Sequence, residues 1–489
     1  MYKPTIDEAK IFFKDYSIIP ICKEIFADVK TSVEILKILI QTGKNCYMLE
    51  SVESAENWGR YSFLGYDPKI TVKCNDNNVV ISDADRLKEI YIDEPISVLR
   101  DILCQYKSPQ MDYMPPFTGG LVGSFSYDFA KYIEKTLKLD NKNDWDFEDF
   151  NLMLFDKVIA IDHFKQKIFI IINTPVKDFE RNYFNSIKQI EVIETLLKSA
   201  AVKEIPKPKL KSDFQLLFSK EEFMNMVDKT KEHIKEGDIF QAVISNRSAA
   251  DFEGGLFQTY RVLRTTNPSP YMFYLNFGDM EIAGTSPETL VTLKNKELTN
   301  YALAGTCKRG KALDEDNKLI EELLKDEKER AEHNMLVDLA RNDLGKISEF
   351  GSVKVAQYMK IVKFSHVSHI ASTIVSKMKE QYDQLDALGA VLPAGTLSGA
   401  PKKRACEIIN ALEKNKRGVY GGAIGYIDFS GNMDTCIAIR MAVYKDNKVF
   451  VQAGAGIVAD SVAQKEFNEC NQKAKALINA LTIACGEEK

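Results

Sequence analysis

Hydrophobic spacing changes character several times along the chain. From residue 31 to 39, TSVEILKIL places apolar residues at helical spacing. Runs of period-two character follow: NCYMLESV, the aromatic stretch WGRYSFLG, KITVKC, NVVISD, KVIAIDHF and KIFIIINT. Their β-branched residues and intervening Asn and Asp predict strands joined by hairpins. GGLVGSFSYD, beginning at Gly119, reads as a strand whose glycines permit close backbone approach. The stretch 199–214, SAAVKEIPKPKLKSDF, is rich in Lys and Pro and has no apolar period. It reads as a linker between an N-terminal regulatory or structural segment, 1–198, and a second segment, 215–489. That second segment opens with Ser219-Lys220-Glu221-Glu222, a capping-box pattern before an amphipathic helix. Strands and helices then alternate irregularly, which predicts an α+β fold.

Two helical stretches carry paired carboxylates. In DEKERAEHNMLVDLARND, residues 326–343, Met335, Leu336, Leu339 and Ala340 form an apolar stripe. Glu329 and Glu332 lie three apart and so share one face, with His333 next in line. KEFNECNQKAKAL repeats the spacing with Glu466 and Glu469, and Lys473 sits one turn beyond Glu469. If the helices face each other, four carboxylates converge, and a hard divalent cation such as Mg²⁺ would relieve their repulsion. Two solvated helix faces are the commoner meaning of an isolated E-x-x-E. Five glycine clusters in the same segment shift that balance: AGTSPE, LAGT, LPAGTLSGAP, GVYGGAIGY and QAGAGIVADS. Glycines at strand ends leave backbone amides open to a small anion.

Composition narrows the function classes. A length of 489 residues suggests two or three domains or one large interleaved fold. A net charge of −5 argues against nucleic acid or an anionic membrane as partner. The N-terminus lacks a signal-peptide pattern, and no apolar run approaches membrane-spanning length. Nine scattered Cys without C-x-x-C spacing point to reduced thiols in a cytoplasmic protein. Neither G-x-G-x-x-G nor a P-loop occurs.

Taken together, DEKERAEHNMLVDLARNDLG, PAGTLSGAPKKRA, RGVYGGAIGY, DTCIAIR and QAGAGIVADS with its following E-x-x-E-x-x-x-K resemble the chorismate-utilising enzymes. MLESVES with GRYSFLG and NPSPYMFYL are similar to the large subunits (component I) of anthranilate synthases. The resemblance implies large antiparallel sheets forming a sandwich-like core with outer helices, built from two interleaved segments. It implies a Mg²⁺-dependent amination of chorismate and loss of pyruvate to give anthranilate, the first committed step of tryptophan biosynthesis.

By the same resemblance Glu332 and Glu469 hold Mg²⁺, with Glu329 and Glu466 behind them. Arg440 and Tyr420 bind one carboxylate, and the amides of Gly454, Ala455 and Gly456 cradle a carboxylate. Gly305, Thr306 and Thr396 are further substrate contacts, and Lys473 balances charge near the metal. Glu288 matches the general acid, and His369 the histidine near ring-proton removal, with His366 as a second candidate. Arg440 lies in CIAIRMAV, which reads as a buried strand.

Gln241 stands where water-using relatives carry a Lys, so the nucleophile is read as ammonia. Ala304 stands where many aminodeoxychorismate synthases carry a Lys; their large subunit, in folate synthesis, is the alternative reading. A catalytically silent tryptophan-sensing protein is a third. Tyr301-Ala302-Leu303, Cys307-Lys308 and ISNRSA depart from the common pattern. No Cys sits in a nucleophile elbow, so a separate glutamine amidotransferase subunit is expected to supply ammonia within a hetero-oligomer. Glu50 and Ser51, with Pro270, Tyr271 and Met272, resemble the family's tryptophan site, which implies feedback inhibition.

Overall fold

The computed structural model describes residues 2–28, 30–43, 45–51, 59–83, 86–310, 312–363 and 367–486. Two large sheets, antiparallel throughout, dominate it. Each sheet takes strands from both sides of the 199–214 stretch. In the first, Asn45–Glu50 pairs with Tyr271–Phe277, placing Glu50 opposite Met272. In the second, Gly120–Phe125 pairs with Ala423–Asp428, placing Gly123 opposite Gly425. The helix Phe179–Ser199 reaches into the start of the expected linker, and Lys209–Leu210 within it pairs with the strand Gln241–Glu253. The α+β sandwich expected from the sequence is the architecture observed.

Burial explains the strand patterns. Phe150–Phe155 is buried along its whole length, as a central strand covered on both faces must be. Phe63, Phe117 and Tyr426 pack edge-to-face or tilted between the sheets. Capping boxes at Thr31, Ser219 and Asp383 start three of the helices, each contributing about 1 kcal/mol. Among the described residues no helix is long and apolar enough to cross a membrane.

The candidate site is carried by β1 (Gln241–Glu253), β2 (Met280–Ser286), β3 (Glu297–Lys308), α1 (Glu327–Gly345), β4 (Val367–Lys377), α2 (Lys402–Glu413), β5 (Met433–Ile437), β6 (Lys448–Ile457) and α3 (Ala463–Cys485). Asp326 caps α1 by accepting from the amides of Lys328 and Glu329. Its face of His333, Leu336, Val337, Ala340 and Leu344 is buried, and the helix packs on β3 and β4. His333, fully buried, sits 2.7 Å from Ser372 Oγ on β4. The helix α3 buries Cys470, Ala474, Leu477 and Leu481 and packs against β6. Both helices therefore turn their E-x-x-E faces away from their sheets and toward one cavity.

Candidate active site

A cavity of about 680 Å³ lies between α1, α3 and the ends of both sheets. Glu329 and Glu332 of α1 and Glu466, Glu469 and Lys473 of α3 all line it. Lys473 is tied down, with Nζ 2.7 Å from Glu469 Oε1 and donating to Gly454 O at 3.0 Å. No salt bridge among the described residues reaches Glu329, Glu332 or Glu466. Burial raises the Glu332 carboxyl above its usual range, and the charges of Glu329 and Glu469 raise it further. Glu466 is raised by burial and by Glu469.

No three of these carboxylates bring oxygens within 4.8 Å of one another. They form no closed protein cage. That donor set suits Mg²⁺, which takes one or two carboxylates and completes its shell with water and substrate oxygen.

Glu288 follows β2 and faces the same cavity. Burial pushes its carboxyl up to about 7; the Thr396 hydroxyl, donating to Oε1 at 2.9 Å, and the Lys473 charge oppose the rise. His369 stands on β4 opposite Thr306 of β3. The register slips between Ala304 and Thr306, so Gly305 bulges with φ +80°. A Cβ at Gly305 would stand 3.0 Å from Ile370 Cδ1 and 3.3 Å from Glu329 Oε2, so only glycine fits the turn without disturbing the cavity. His369 Nδ1 lies 3.3 Å from Gly305 O and 2.9 Å from Thr306 Oγ1. A carbonyl only accepts, so Nδ1 carries the proton and Nε2 the lone pair. Burial lowers the imidazole pKa, and Arg440 lowers it further, which keeps the ring neutral. His366 lies outside the described residues.

Arg440 departs from the sequence expectation of a buried strand residue. It follows β5 in the left-handed region, φ +53°, with its side chain exposed to the cavity. Such a conformation is uncommon for a residue other than glycine and costs about 1 kcal/mol or more. Its guanidinium forms no ion pair among the described residues. Tyr420 is buried, with its hydroxyl 3.0 Å from the position a Gly454 Cβ would take. Gly454 and Gly456 line the cavity from β6, but Ala455 does not; alternation along the strand turns its methyl into the core. Gln241 opens β1, is 6% exposed and lines the cavity; its amide oxygen is buried without a hydrogen-bond partner. The absent side chain of Gly456 makes room for it: a Cβ there would stand 2.5 Å from Gln241 Nε2.

A family model described as chorismate binding enzyme matches residues 44–479. Anthranilate synthase component 1 of Acetivibrio thermocellus is 43% identical over 99% of this chain and 99% of its own length. The chain belongs to the chorismate binding enzyme family. Anthranilate synthase component 1 of Aquifex aeolicus is 42% identical, with 98% of each chain covered. The crystal structure of anthranilate synthase component I from Streptococcus pneumoniae aligns with a TM-score of 0.75 at 36% identity, over 88% of this chain and 93% of that one. The menaquinone-specific isochorismate synthase of Escherichia coli, at 18% identity, shares the fold with a TM-score of 0.69 over 97% of this chain and 98% of that one.

A second cavity in this family member, of about 270 Å³, lies between the two sheets. Glu50, Ser51, Pro270, Tyr271 and Met272 line it together with Tyr61, Phe63 and Tyr426. Glu50 is more occupied than the sequence reading allowed. Arg264 Nε donates to its Oε1 at 2.5 Å, as does Tyr260 Oη, while Ser32 and Ser62 donate to Oε2 at 3.3 Å. The cavity holds another carboxylate, Asp434, which accepts from Tyr271 Oη at 2.8 Å and is pushed up to about 6 by burial.

Sequence reasoning missed other groups around the first cavity. Lys328, Gln452 and Lys465 line it. Behind its wall, Arg417 and Glu413 form a fully buried pair. Glu413 lies only four residues before Arg417, but the sequence gives no hint that the pair is buried, because the carbonyls of Val243 and Leu397 that complete its surroundings come from other elements.

Proposed function

We propose that this chain is the aminating component of an anthranilate synthase: it converts chorismate and ammonia to anthranilate, pyruvate and water. The observation that supports this reading is the neutral Gln241 amide side chain lining the cavity that holds Glu288 and His369. An amide side chain can hydrogen-bond ammonia, and a neutral amide does not activate water as an amine base would.

Arg440, with Tyr420, holds one substrate carboxylate in a charge-assisted contact. Gly454 and Gly456 let the other end of the substrate approach the β6 backbone closely. Ammonia held at Gln241 attacks the ring, the allylic double bond shifts, and the C–O bond to the ring hydroxyl breaks. Glu288 gives its proton to that departing oxygen, which leaves as water. The new ammonium centre loses a proton to become the amine, which offsets the proton Glu288 gave and restores the acid. His369 Nε2 then takes the proton from the ring carbon that bears nitrogen. The ring becomes aromatic as the enolpyruvyl C–O bond breaks, and the departing enolate takes up a proton at its methylene carbon to leave as pyruvate. Mg²⁺ held at Glu332 and Glu469, with Glu329 and Glu466 behind, would draw electron density from the ring through its carboxylate.

The reading is tested by Gln241→Leu. It is expected to raise KM for ammonia by about tenfold, the size of one hydrogen bond, with little change in KM for chorismate. An unaltered ammonia dependence contradicts the assignment.

Ammonia is scarce at neutral pH, so a separate glutamine amidotransferase chain supplies it in a hetero-oligomer. The relatives' designation as component 1 supports that reading. The second cavity, with its aromatic lining and buried carboxylates, suits tryptophan as a feedback inhibitor. Titration with tryptophan is expected to show saturable binding together with falling chorismate turnover; absence of both removes this part of the reading. The chain is read as cytoplasmic.

A further inference from the structure

Arg417 lies outside the cavity yet touches much of its wall from behind. Its Nε and Nη2 donate to Glu413 at 2.8 and 2.6 Å in a bidentate pair. Its Nη1 donates to Leu397 O at 2.7 Å, beside Thr396, and Nη2 donates to Val243 O at 2.7 Å, two residues beyond Gln241. The guanidinium also lies over the rings of Tyr127, at 4.6 Å, and Tyr420, at 6.0 Å. Glu413 in turn accepts from Ser245 N at 2.8 Å and Ser245 Oγ at 3.0 Å on β1.

Buried ion pairs are often replaceable by apolar side chains without loss of stability. This one spends its remaining donors on backbone carbonyls of two separate elements, which no apolar pair reproduces. Its distinctive effect is therefore alignment. The Thr396 turn is a three-residue 3₁₀ segment, Gly395–Leu397, too short to fix its own orientation.

We propose that the Arg417–Glu413 pair is a positioning unit for the reaction: it holds the turn from which Thr396 meets Glu288, and the strand that begins at Gln241. The proposal rests on the reading of Glu288 as the proton donor. Glu288 is faced by Thr396 from the turn and by Lys473 from α3, and Arg440 and His369 are charged or titratable groups of the same cavity. Thr396 stabilises the ionised carboxyl by donating to it. Losing that contact makes Glu288 keep its proton to higher pH.

The test compares Arg417→Lys, Thr396→Val and the double variant with the parent chain. It follows kcat/KM for chorismate against pH at a fixed concentration of un-ionised ammonia. Lysine keeps the charge but not the planar fork. Thr396→Val is expected to move the alkaline limb up by about one pH unit. Arg417→Lys moves it in the same direction and lowers kcat by about tenfold, the scale of a displaced catalytic contact. The double variant moves the limb no further than Thr396→Val alone, because both act through one contact. Thermal midpoints measured alongside establish that each variant is folded. Glu413→Gln, which loosens the hold on Arg417, is read by the same limb and replaces Arg417→Lys if that chain fails to fold. A limb that moves in Thr396→Val but stays fixed in Arg417→Lys and Glu413→Gln overturns the positioning role, as do additive shifts in the double variant. An immobile limb in Thr396→Val overturns the proposal at its foundation, the assignment of Glu288.

Discussion

Replacement of Glu288 by Gln is expected to lower kcat by about 10³-fold, within the range typical of a lost general acid, while chorismate still binds. Glutamine keeps the shape and the contact with Thr396 but has no proton to give to the departing hydroxyl. The pH dependence carries the sharper signature. As the proposed proton donor Glu288 must be protonated to act, and burial places its carboxyl at about 7 in the free chain. Activity in kcat/KM for chorismate should therefore fall as pH rises through about 7, once ammonia is corrected to its un-ionised form. In Glu288→Gln that limb disappears. The stability of the parent chain falls over the same range. A carboxyl raised from 4.5 to about 7 makes the folded chain bind more protons than the unfolded one between those values. Its contribution to stability is present below pH 4.5 and lost as pH rises through about 7. Glu288→Gln removes that loss, so its thermal midpoint at pH 8 is expected to exceed that of the parent. A variant that keeps the alkaline limb places the acid elsewhere.

Replacement of Arg440 by Met is expected to reduce kcat/KM for chorismate by about 30- to 5,000-fold, corresponding to roughly 2–5 kcal/mol for stranding a buried carboxylate without its partner. The loss should fall mainly on KM. In the free chain the guanidinium is held by no carboxylate among the described residues, and burial lowers its pKa. Removing it therefore costs the unliganded fold little, and the thermal midpoint should stay near that of the parent. Lysine at the same position is expected to recover only part of the affinity, since a point charge cannot hold a carboxylate by two parallel bonds. Initial rates over a chorismate series, with thermal unfolding of each variant, check both statements.

The legible parts of the site are those whose signal is local. Helical spacing placed Glu329 with Glu332, and Glu466 with Glu469, on single faces, and those faces meet at one cavity. The capping pattern at Ser219 marked a helix start that the structure reproduces. Both sheets follow a different logic. The pairing of Glu50 with Met272 joins residues 222 positions apart, and period-two patterning states that a strand exists without naming its neighbour. The same limit hid Arg264, which reaches Glu50 from a helix 214 residues away and occupies the carboxylate. Arg440 was misread for another reason. An apolar flank on both sides resembles a buried strand, whereas the backbone turns left-handed at that residue and delivers the side chain to the cavity. The Arg417–Glu413 pair has the i,i+4 spacing of an ordinary helix surface pair. Nothing in that spacing distinguishes a solvated pair from one buried beneath the wall of a cavity.

The most direct measurement incubates the purified chain with chorismate, an ammonium salt and Mg²⁺ at mildly alkaline pH, without any partner. Products are followed by anthranilate fluorescence and mass spectrometry, with and without a chelator. The account predicts anthranilate and pyruvate in equal amounts, abolished by the chelator. An aminated product that retains its enolpyruvyl group, a hydroxylated product, or turnover that survives chelation would contradict it.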